Sequence, residues 1–473
     1  MSIAIIWFRQ DLRLTDNPAY INACNNHDVI IPLYINDSKA SLKDKAQGWW
    51  LHHSLISLHK SLKKLGLNLV LRSGNPIKVF KELTSQLDIA TIYWNRCYDP
   101  IIINRDEEIE LIMQQRGVRV ISSNGSLLID PCAIKNKKGD FFKVFTPFWR
   151  HCLQKISIPE MMHFSGSVKG LDIPSDCISD WELKPSSPDW AVGFSNYWQP
   201  GEDGAEKKLD DFISNILSNY KLNRDIPALN ATSKLSAHLH FGEISPWSIL
   251  REVEKAKLHE QCNISSAEHF LSEMGWREFS YYLLYHSPTI THENFRKEFD
   301  FFPWHFNEYY FECWKKGTTG YPLIDAGMRE LWQTGYMHNR VRMISASFLT
   351  KNLLIDWRIG ADWFLNTLLD ADLANNSVSW QWVAGSGIDA APYFRIFNPV
   401  LQSEKFDSSG EYIRKWVPEL SKVNKKYIHK PWMFNRFETG LTIGIDYPKP
   451  IVSHIDSRKK ALGYYKLLKE HKL

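Results

Sequence analysis

The chain has 473 residues, more than one hydrophobic core usually serves, so at least two domains are expected. Its formal net charge is only +4, so a nucleic-acid surface would depend on local clusters of basic residues. The seven cysteines form no close pair, which argues against a disulfide framework and a metal site. The N-terminal apolar run is too short for a signal peptide, and no window suits a membrane span, so a cytoplasmic protein is expected. We also expect a monomer.

The first 125 residues alternate short β-branched runs with stretches of helical apolar spacing. The runs are SIAIIWF, VIIPLYI, LNLVLRS, IATIYW and VRVIS. This alternation predicts an α/β domain with a doubly wound parallel sheet. The sequence WFRQDLRL stands where a glycine-rich nucleotide loop would follow the first strand, so a Rossmann-type dinucleotide site is not expected there.

The remaining chain changes character twice. Residues 131–200 contain seven prolines and predict a linker with short helices. From about residue 204 the apolar spacing is helical, which predicts an all-α domain that ends in one basic helix. The expected domains are therefore 1–130, 131–200 and 201–473.

The segment from Trp357 to Pro399 concentrates side chains that an ordinary core avoids. It contains Trp357, Trp363, Trp380, Trp382, Asp370, Asp372, Asn375 and Asn376. Indoles beside polar loop atoms suit a flat ligand with polar groups at its edge, such as an isoalloxazine ring. The alternative is that Trp357 and Trp363 are helix-core residues and that DADLANNS is a capped turn. Spacing alone leaves both interpretations open.

Several motifs carry a resemblance to a known family. They are NNSVSWQW followed by GIDAAPYFRIFNP, TSKLS at 232–236, Trp276-Arg277-Glu278, GYPLIDAGMREL at 320–331, MHNRVRM at 337–343 and the N-terminal WFRQDLRLTDNPA. Nearly the whole chain thus resembles the DNA photolyase and cryptochrome family. The resemblance implies an α/β antenna-type domain followed by an all-α FAD-binding domain. Relatives that repair (6-4) lesions carry two histidines where this chain has Asn339 and Met343, so the chain looks most like a class I photolyase for cyclobutane pyrimidine dimers.

The TSKLS motif precedes a helical run, so Thr232 or Ser233 is predicted to be an N-cap whose helix could hold a phosphate. A plain capped helix is the alternative. The resemblance implies that this motif grips the FAD pyrophosphate. It implies the following FAD-binding residues: Tyr220, Thr232, Ser233, Lys234, Leu235, Ser236, Arg277, Asn339, Arg342, Asp370, Ala371, Asp372 and Asn376.

A helix from about Met337 to Thr350 would place one polar and one apolar set of residues on opposite faces. Asn339, Arg342, Met343 and Ala346 share the first face, and Val341, Ile344 and Phe348 share the second, which is predicted to be core. By resemblance, Arg342 lies next to the flavin and pairs with Asp370, Asp372 accepts from the ring N3–H, and Asn376 faces N5. The active cofactor would be the reduced FAD anion.

Glu273, Trp276 and Arg277 share one face of a predicted helix. A surface Glu–Arg pair beside a half-buried tryptophan is the alternative. Photolyases are among the enzymes that extrude a damaged base, because the reactive bond is unreachable inside a duplex. The resemblance therefore implies Trp276 and Trp382 as walls around the dimer, with Glu273, Asn339, Met343 and Asn376 in the active site. Residues expected to contact ultraviolet-damaged DNA also include Arg224, Arg340, Arg395 and Gln402, with Lys405, Arg414 and Lys415 as further candidates.

Trp380, Trp357 and Trp304 match the family's electron-relay tryptophans, although each taken alone also suits a core. The sequence leaves open whether the chain binds a second chromophore as a light-harvesting antenna. Ile101 and Ile102 stand where folate-binding relatives have an Asn-Glu pair, which disfavours folate and leaves a deazaflavin, another flavin or no antenna at all. The expected function is light-driven dimer repair. The alternatives are a cryptochrome-type photoreceptor without repair activity and a thermal flavin oxidoreductase.

Overall fold

The structure is a computed structural model that describes residues 2–37, 41–389 and 394–470. The chain forms two compact units. The first comprises residues 1–218 and 233–288, and the second comprises residues 219–232 and 289–473. The domain boundaries expected near residues 130 and 200 stay predictions.

The first unit is built on a parallel sheet. Its strands, β1 to β6, are Ile3–Phe8, Val29–Asn36, Val70–Ser73, Ile89–Asn95, Arg119–Ser123 and Lys169–Gly170. The order across the sheet is β3, β2, β1, β4, β5, with β6 also paired to β2, and these pairings are parallel. The central strand β1 is apolar along its length and is buried from Ala4 to Phe8, as expected in an α/β sheet. This confirms the predicted doubly wound sheet.

The helices of the first unit begin at signals that are visible in the sequence. They are α1 (Pro18–Asn26), α2 (Ala46–Lys64), α3 (Pro76–Gln86), α4 (Pro100–Gln115), α5 (Phe145–Lys155), α6 (Glu202–Asp211), α8 (Ser236–His240), α9 (Pro246–Leu258) and α10 (Ile264–His286), while α7 (Tyr220–Asn223) belongs to the second unit. In α1, α3, α4 and α9 a cap side chain accepts a first-turn N–H and a proline follows directly; the caps are Asn17, Asn75, Asp99 and Ser245. Proline suits that place because it has no N–H to leave unsatisfied.

Residues 131–200, expected to be a linker with short helices, pack into the first unit. They contain α5, a helix of 11 residues, and the strand β6, which pairs with Val29 and Ile30. On α5 the rings of Phe145 and Phe148 lie 5.9 and 5.0 Å from the ring of Phe279 on α10. The segment therefore supplies core side chains to the first unit.

The second unit is helical, as predicted. Its helices are α7 (Tyr220–Asn223), α11 (Glu308–Lys316), α12 (Pro322–Thr334), α13 (Asn339–Ser347), α14 (Trp357–Thr367), α15 (Leu373–Ala384), α16 (Pro399–Phe406), α17 (Glu411–Trp416), α18 (Arg436–Thr439) and α19 (His454–Lys469). A π-helical turn, Phe348–Asn352, extends α13. Val341, Ile344 and Phe348 are buried, which confirms the core face predicted for this helix.

Helices α14 and α15 approach each other closely at Gly360. A Cβ added there would lie 2.2 Å from the indole of Trp380 and 2.5 Å from Leu349, so only glycine fits. Trp357 on α14 is fully buried, whereas Trp363 is half-buried, so the helix-core interpretation holds for Trp357. The packing fixes Trp380 against α14.

Within the described residues, no helix is both long enough and apolar enough to cross a membrane. All seven cysteines lie in the described ranges, and each has a free thiol.

Candidate functional site

The residues predicted to bind FAD fall in both units. In the second unit the anchor is an ion pair between Arg342 on α13 and Asp370, which precedes α15. Arg342 Nη2 lies 2.9 Å from Asp370 Oδ2, and Arg342 Nε donates to the carbonyl of Met337 at 2.6 Å. The Asp370 side chain is 4% exposed and the Arg342 side chain 23%. Burial works to lower the pKa of Arg342, but Asp370 raises it overall, so the guanidinium stays charged and fixed in direction.

Tyr336 is a neighbour of this pair that sequence reasoning missed. Its ring lies 5.1 Å from the Arg342 guanidinium, and its hydroxyl is hydrogen-bonded to the side chain of Thr232. Burial raises the pKa of Tyr336 to about 12, so the phenol stays neutral. Tyr336 thus connects a residue expected at the pyrophosphate with one expected at the flavin ring. The available signal was an aromatic residue directly before the MHNRVRM motif.

Asp372 and Asn376 are held at the start of α15. Asp372 is the N-cap, and its Oδ1 accepts from the backbone and the side chain of Asn375 at 2.8 and 2.7 Å. The capped-turn interpretation of DADLANNS is therefore correct. Asn376 Nδ2 donates to the carbonyl of Ala361 at 3.1 Å, an arrangement that leaves the amide oxygen as the group to face a ligand. Ala371, between the two carboxylates, is buried.

The N-cap predicted at TSKLS is wrong. The N-cap of α8 is Leu235, which makes no side-chain cap hydrogen bond, and α8 is only five residues long. Lys234 has a φ of +52°, a left-handed conformation that a helix cannot include, so the helix begins two residues later than the motif suggests. Ser233 Oγ instead accepts the N–H of Leu235 at 3.4 Å. The role of this motif and of the exposed Ser236 in binding FAD stays a prediction.

Tyr220 and Arg224 lie on and just after α7. Tyr220 is buried, and the Arg224 guanidinium lies 5.4 Å from the centroid of its ring. Arg340 Nη2 contacts Asp225 Oδ2 at 2.7 Å. Arg224 and Arg340, both expected to bind DNA phosphates, thus already contact side chains of the second unit.

On α13 the residues expected to meet the lesion are accessible. Asn339 is the first helical residue and is exposed, and Met343 is half-buried with its Sδ 3.8 Å from Arg340 Nη1. Arg395 is exposed, whereas Trp382 on α15 and Gln402 on α16 are half-buried. None of these side chains is fully buried, so burial does not prevent any of them from contacting DNA.

In the first unit, Glu273, Trp276 and Arg277 lie on the continuous helix α10, as predicted. The Trp276 indole stacks on Phe145 with 3.8 Å between ring centroids and 9° between planes, so one face of the expected lesion wall is already backed. Arg277 Nη1 donates to the carbonyl of Ser126 at 2.9 Å and contacts Glu278 Oε1 at 3.2 Å. Glu273 is half-buried.

The relay tryptophans differ in burial. Trp380 and Trp357 are 2% and 0% exposed, and Trp304 is half-buried against Phe302 at 4.4 Å. Trp357 Nε1 donates to Asn294 Oδ1 at 2.9 Å. The gradient from buried to accessible fits a relay towards solvent, which stays a prediction.

A second file of rings, missed in the sequence, leads away from Trp380. Successive centroids from Trp380 through Trp314, Phe311 and Trp363 to Trp332 lie 6.3, 6.0, 6.5 and 6.2 Å apart. Trp332 is 49% exposed. Helical spacing could not reveal this file, because its members lie on four different helices.

Family models match both parts of the chain. A model described as the FAD binding domain of DNA photolyase matches residues 270–467, and one described as DNA photolyase matches residues 4–164. The chain belongs to the DNA photolyase family. Its second half therefore carries this family's FAD-binding domain.

Photolyases and cryptochromes both occur among its relatives. The deoxyribodipyrimidine photo-lyase of Agrobacterium fabrum is 47% identical over 98% of each chain. Cryptochrome-2 of Arabidopsis thaliana is 36% identical over 97% of this chain and 78% of its own length. The crystal structure of a class III photolyase from Agrobacterium tumefaciens has a TM-score of 0.96 and 46% identity, covering 99% of this chain and 98% of its own. The subclass, expected to be class I, stays a prediction.

Proposed function

We propose that this photolyase-family protein repairs cyclobutane pyrimidine dimers in ultraviolet-damaged DNA with reduced FAD and blue or near-ultraviolet light. The observation that carries the proposal is the anchored Arg342 guanidinium. It is held by Asp370 and by the Met337 carbonyl, inside the region that matches the family's FAD-binding domain. When bound, excited reduced FAD supplies the electron that splits the cyclobutane ring and then recovers it.

In this proposal, residues of the chain bind the flavin and fix its orientation. Arg342 offers a fixed positive charge near the flavin, and the Asp372 carboxylate accepts an N–H from its edge. The amide oxygen of Asn376 is directed by the bond from Nδ2 to Ala361, which favours one orientation of the cofactor edge. No acid or base is needed to break the carbon–carbon bonds.

The lesion would be held by stacking and by hydrogen bonds. Trp276 and Trp382 serve as walls, and aromatic stacking is worth about 1–3 kcal/mol per base, which offsets part of the free energy of extrusion. Glu273 and Asn339 accept and donate hydrogen bonds at the base edges, and Met343 provides a polarisable contact. A damaged step stacks poorly, so its extrusion costs less than that of an intact step.

The direct test is dimer loss under blue light. The chemically reduced protein is incubated with thymine-dimer DNA, and intact thymine is followed in light and in darkness. We expect loss of dimers in the light only, with W382A strongly impaired and W332A, which changes an exposed indole, close to wild type. A flavin-loaded wild type that leaves the dimers intact under light would exclude repair.

A cryptochrome-type photoreceptor is the second candidate, favoured by the 36% identity with Arabidopsis cryptochrome-2 over 97% of this chain. It predicts photoreduction of bound flavin without dimer loss. The same light experiment therefore separates the two functions. A thermal oxidoreductase would instead turn over a substrate in darkness.

The relay proposal has its own test. Replacing Trp304 with Phe removes the accessible end of the path from Trp380 through Trp357, so photoreduction of oxidised flavin should slow at least about tenfold, while repair by chemically reduced protein persists. Absorption under continuous blue light measures the first quantity. Residual photoreduction that disappears on adding W314F would assign the remainder to the ring file through Trp314. Full photoreduction in the double variant would contradict both paths.

We also propose that any antenna chromophore is a deazaflavin or a flavin and not a folate. Ile101 is 77% exposed at the start of α4, and an apolar side chain there cannot accept the hydrogen bonds of a pterin. Chromophores extracted from the purified protein and separated by chromatography test this. Recovery of a folate at one equivalent would contradict it.

A further inference from the structure

Lys351 is a buried lysine that is not among the predicted site residues. It belongs to the π-helical turn Phe348–Asn352 and is only 2% exposed. Burial, and then the nearby charge of Arg395, lower its pKa to about 7. A buried lysine is unfavourable unless its polar head has a partner, so a position that served packing alone would suit Met or Leu better. π-helical turns also occur frequently at functional sites.

The head group of Lys351 contacts one short segment of chain. Its Nζ donates to the carbonyl oxygen of Arg395 at 2.6 Å and lies 4.4 Å from the centroid of the Phe394 ring. One turn earlier, Ser347 Oγ accepts the N–H of Phe397 at 3.4 Å. The segment 394–397 is thus attached to residues 347–351 at three points.

This segment presents an exposed cation on a fixed backbone. The Phe394 ring is buried and stacks on Tyr465, with 4.6 Å between centroids and 8° between planes. The side chain of the next residue, Arg395, is exposed. Lys351 also lines a small cavity together with Trp382, the expected lesion wall of this unit. The lysine therefore lies behind two residues expected to contact DNA.

We propose that Lys351 is a positioning residue for DNA binding, which holds the carbonyl of Arg395 so that the Arg395 guanidinium meets a backbone phosphate. The inference rests on the proposed function, because it takes damaged DNA as the partner of Arg395. A lysine suits this role because its amino group keeps N–H donors for the carbonyl in both protonation states. Methionine would fill the same space without holding the carbonyl.

The test is a double-mutant cycle on dark DNA binding. Dissociation constants for a dimer-containing duplex are measured for wild type, K351M, R395A and the double variant. We expect K351M and R395A each to weaken binding about tenfold, and K351M to add less than about twofold in the R395A background, because coupled residues are not additive. K257M, which removes a lysine paired with Glu254 in the first unit, should bind as wild type does.

Salt dependence separates positioning from a general loss of structure. If Arg395 contacts one phosphate, R395A and K351M should each reduce the slope of log K against log salt by about 0.9. The repair rate at saturating DNA should stay unchanged in K351M. Thermal midpoint and flavin absorption check folding, and K351R, which keeps a buried donor, should restore binding if K351M is unstable.

Several results would overturn the proposal: wild-type affinity and slope in K351M, an equal loss in both backgrounds, or failure of K351R to bind better than K351M. Failure of the proposed function gives a different result. If wild type binds the dimer in darkness and the cycle is coupled but light causes no repair, the repair claim alone is lost.

Discussion

Glu278 is a buried carboxyl group that directly follows Arg277, a residue predicted to bind FAD. Its Oε2 accepts the N–H groups of Leu128 and Ile129 at 2.9 and 3.3 Å, and its Oε1 contacts Arg277. Burial raises its pKa to about 7, although Arg277 and the two backbone donors act in the opposite direction. The carboxyl group therefore exchanges a proton close to neutral pH, one residue from an expected FAD contact.

The pH dependence of stability should reveal this group. Because the folded pKa is above the unfolded one, the folded state binds the extra proton between about pH 4.5 and 7, and this contribution to stability is lost as pH rises. The free energy of unfolding of wild type relative to E278Q should fall by up to about 3 kcal/mol from pH 4.5 to 8. Urea denaturation at several pH values measures it.

The matched control for this measurement is E252Q, which changes a carboxylate paired with Lys255 on the surface of α9. E252Q should keep the wild-type pH profile. An identical profile in E278Q would show that Glu278 does not titrate in this range.

At the scale of elements, the site is positioned by close helix contacts. Helix α14 approaches α15 so closely that Gly360 has no room for a side chain, and this contact fixes Trp380. Helix α5 places Phe145 flat against Trp276 on α10. Each contact fixes a predicted functional side chain, the relay indole of Trp380 or the lesion wall Trp276, against a neighbouring helix.

Gly360→Ala should displace the Trp380 indole. Overpacking of this kind typically costs about 1–3 kcal/mol, so the thermal midpoint and flavin retention should both fall. Gly463→Ala on α19 is the control, because nothing lies within 4 Å of the added Cβ, and a small gain of about 0.5–1 kcal/mol is expected. Equal midpoints for the two variants would contradict the contact.

Phe145→Ala should remove the support behind Trp276. We expect affinity for dimer-containing duplex to fall about three- to tenfold, while affinity for undamaged duplex changes little, because stacking acts on an extruded base. Fluorescence anisotropy measures both. Phe141→Ala is the control, since Phe141 stacks on His286 near the end of the same helix, at 5.3 Å. A parallel loss in both variants would point to a general effect on α10.

At the scale of the whole molecule, the charge is nearly balanced, with 57 basic and 53 acidic residues. A global field is therefore too weak to explain tight DNA binding. The residues expected to bind phosphates are not equivalent: Arg395, Lys405 and Lys415 are exposed, while Arg414 donates to the carbonyls of Ser409 and Val423. Binding should thus depend on a few local cations.

Lys405 and Lys415 provide the test of local charge. The double variant K405A/K415A should reduce the salt slope of DNA binding by up to about 1.8, at about 0.9 per phosphate contact. K60A/K64A, which removes two exposed cations from α2, lowers the net charge equally and should leave the slope unchanged. The same reduction in both variants would indicate that net charge, and not local clustering, governs binding.

The sequence by itself determined the sheet and the helical second part, and caps followed by proline mark the starts of several helices, among them α1, α3, α4 and α9. Continuous apolar runs specify buried parallel strands, and an Asn, Asp or Ser cap followed by proline acts locally. The family resemblance of its motifs implied the pairing of Arg342 with Asp370, and the structure places the two side chains 2.9 Å apart. The helix start predicted at TSKLS was wrong, because the left-handed conformation of Lys234 moves the start of α8 to Ser236.

Only the tertiary structure decided which distant residues meet. Phe145 backs Trp276 across 131 positions of chain, Lys351 holds Arg395 across 44, and Tyr336 reaches Thr232 across 104. No local propensity encodes such pairs, since each depends on how whole helices pack. The predicted functional residues are therefore recognisable from local motifs, whereas the contacts that hold them in place form only when the chain folds.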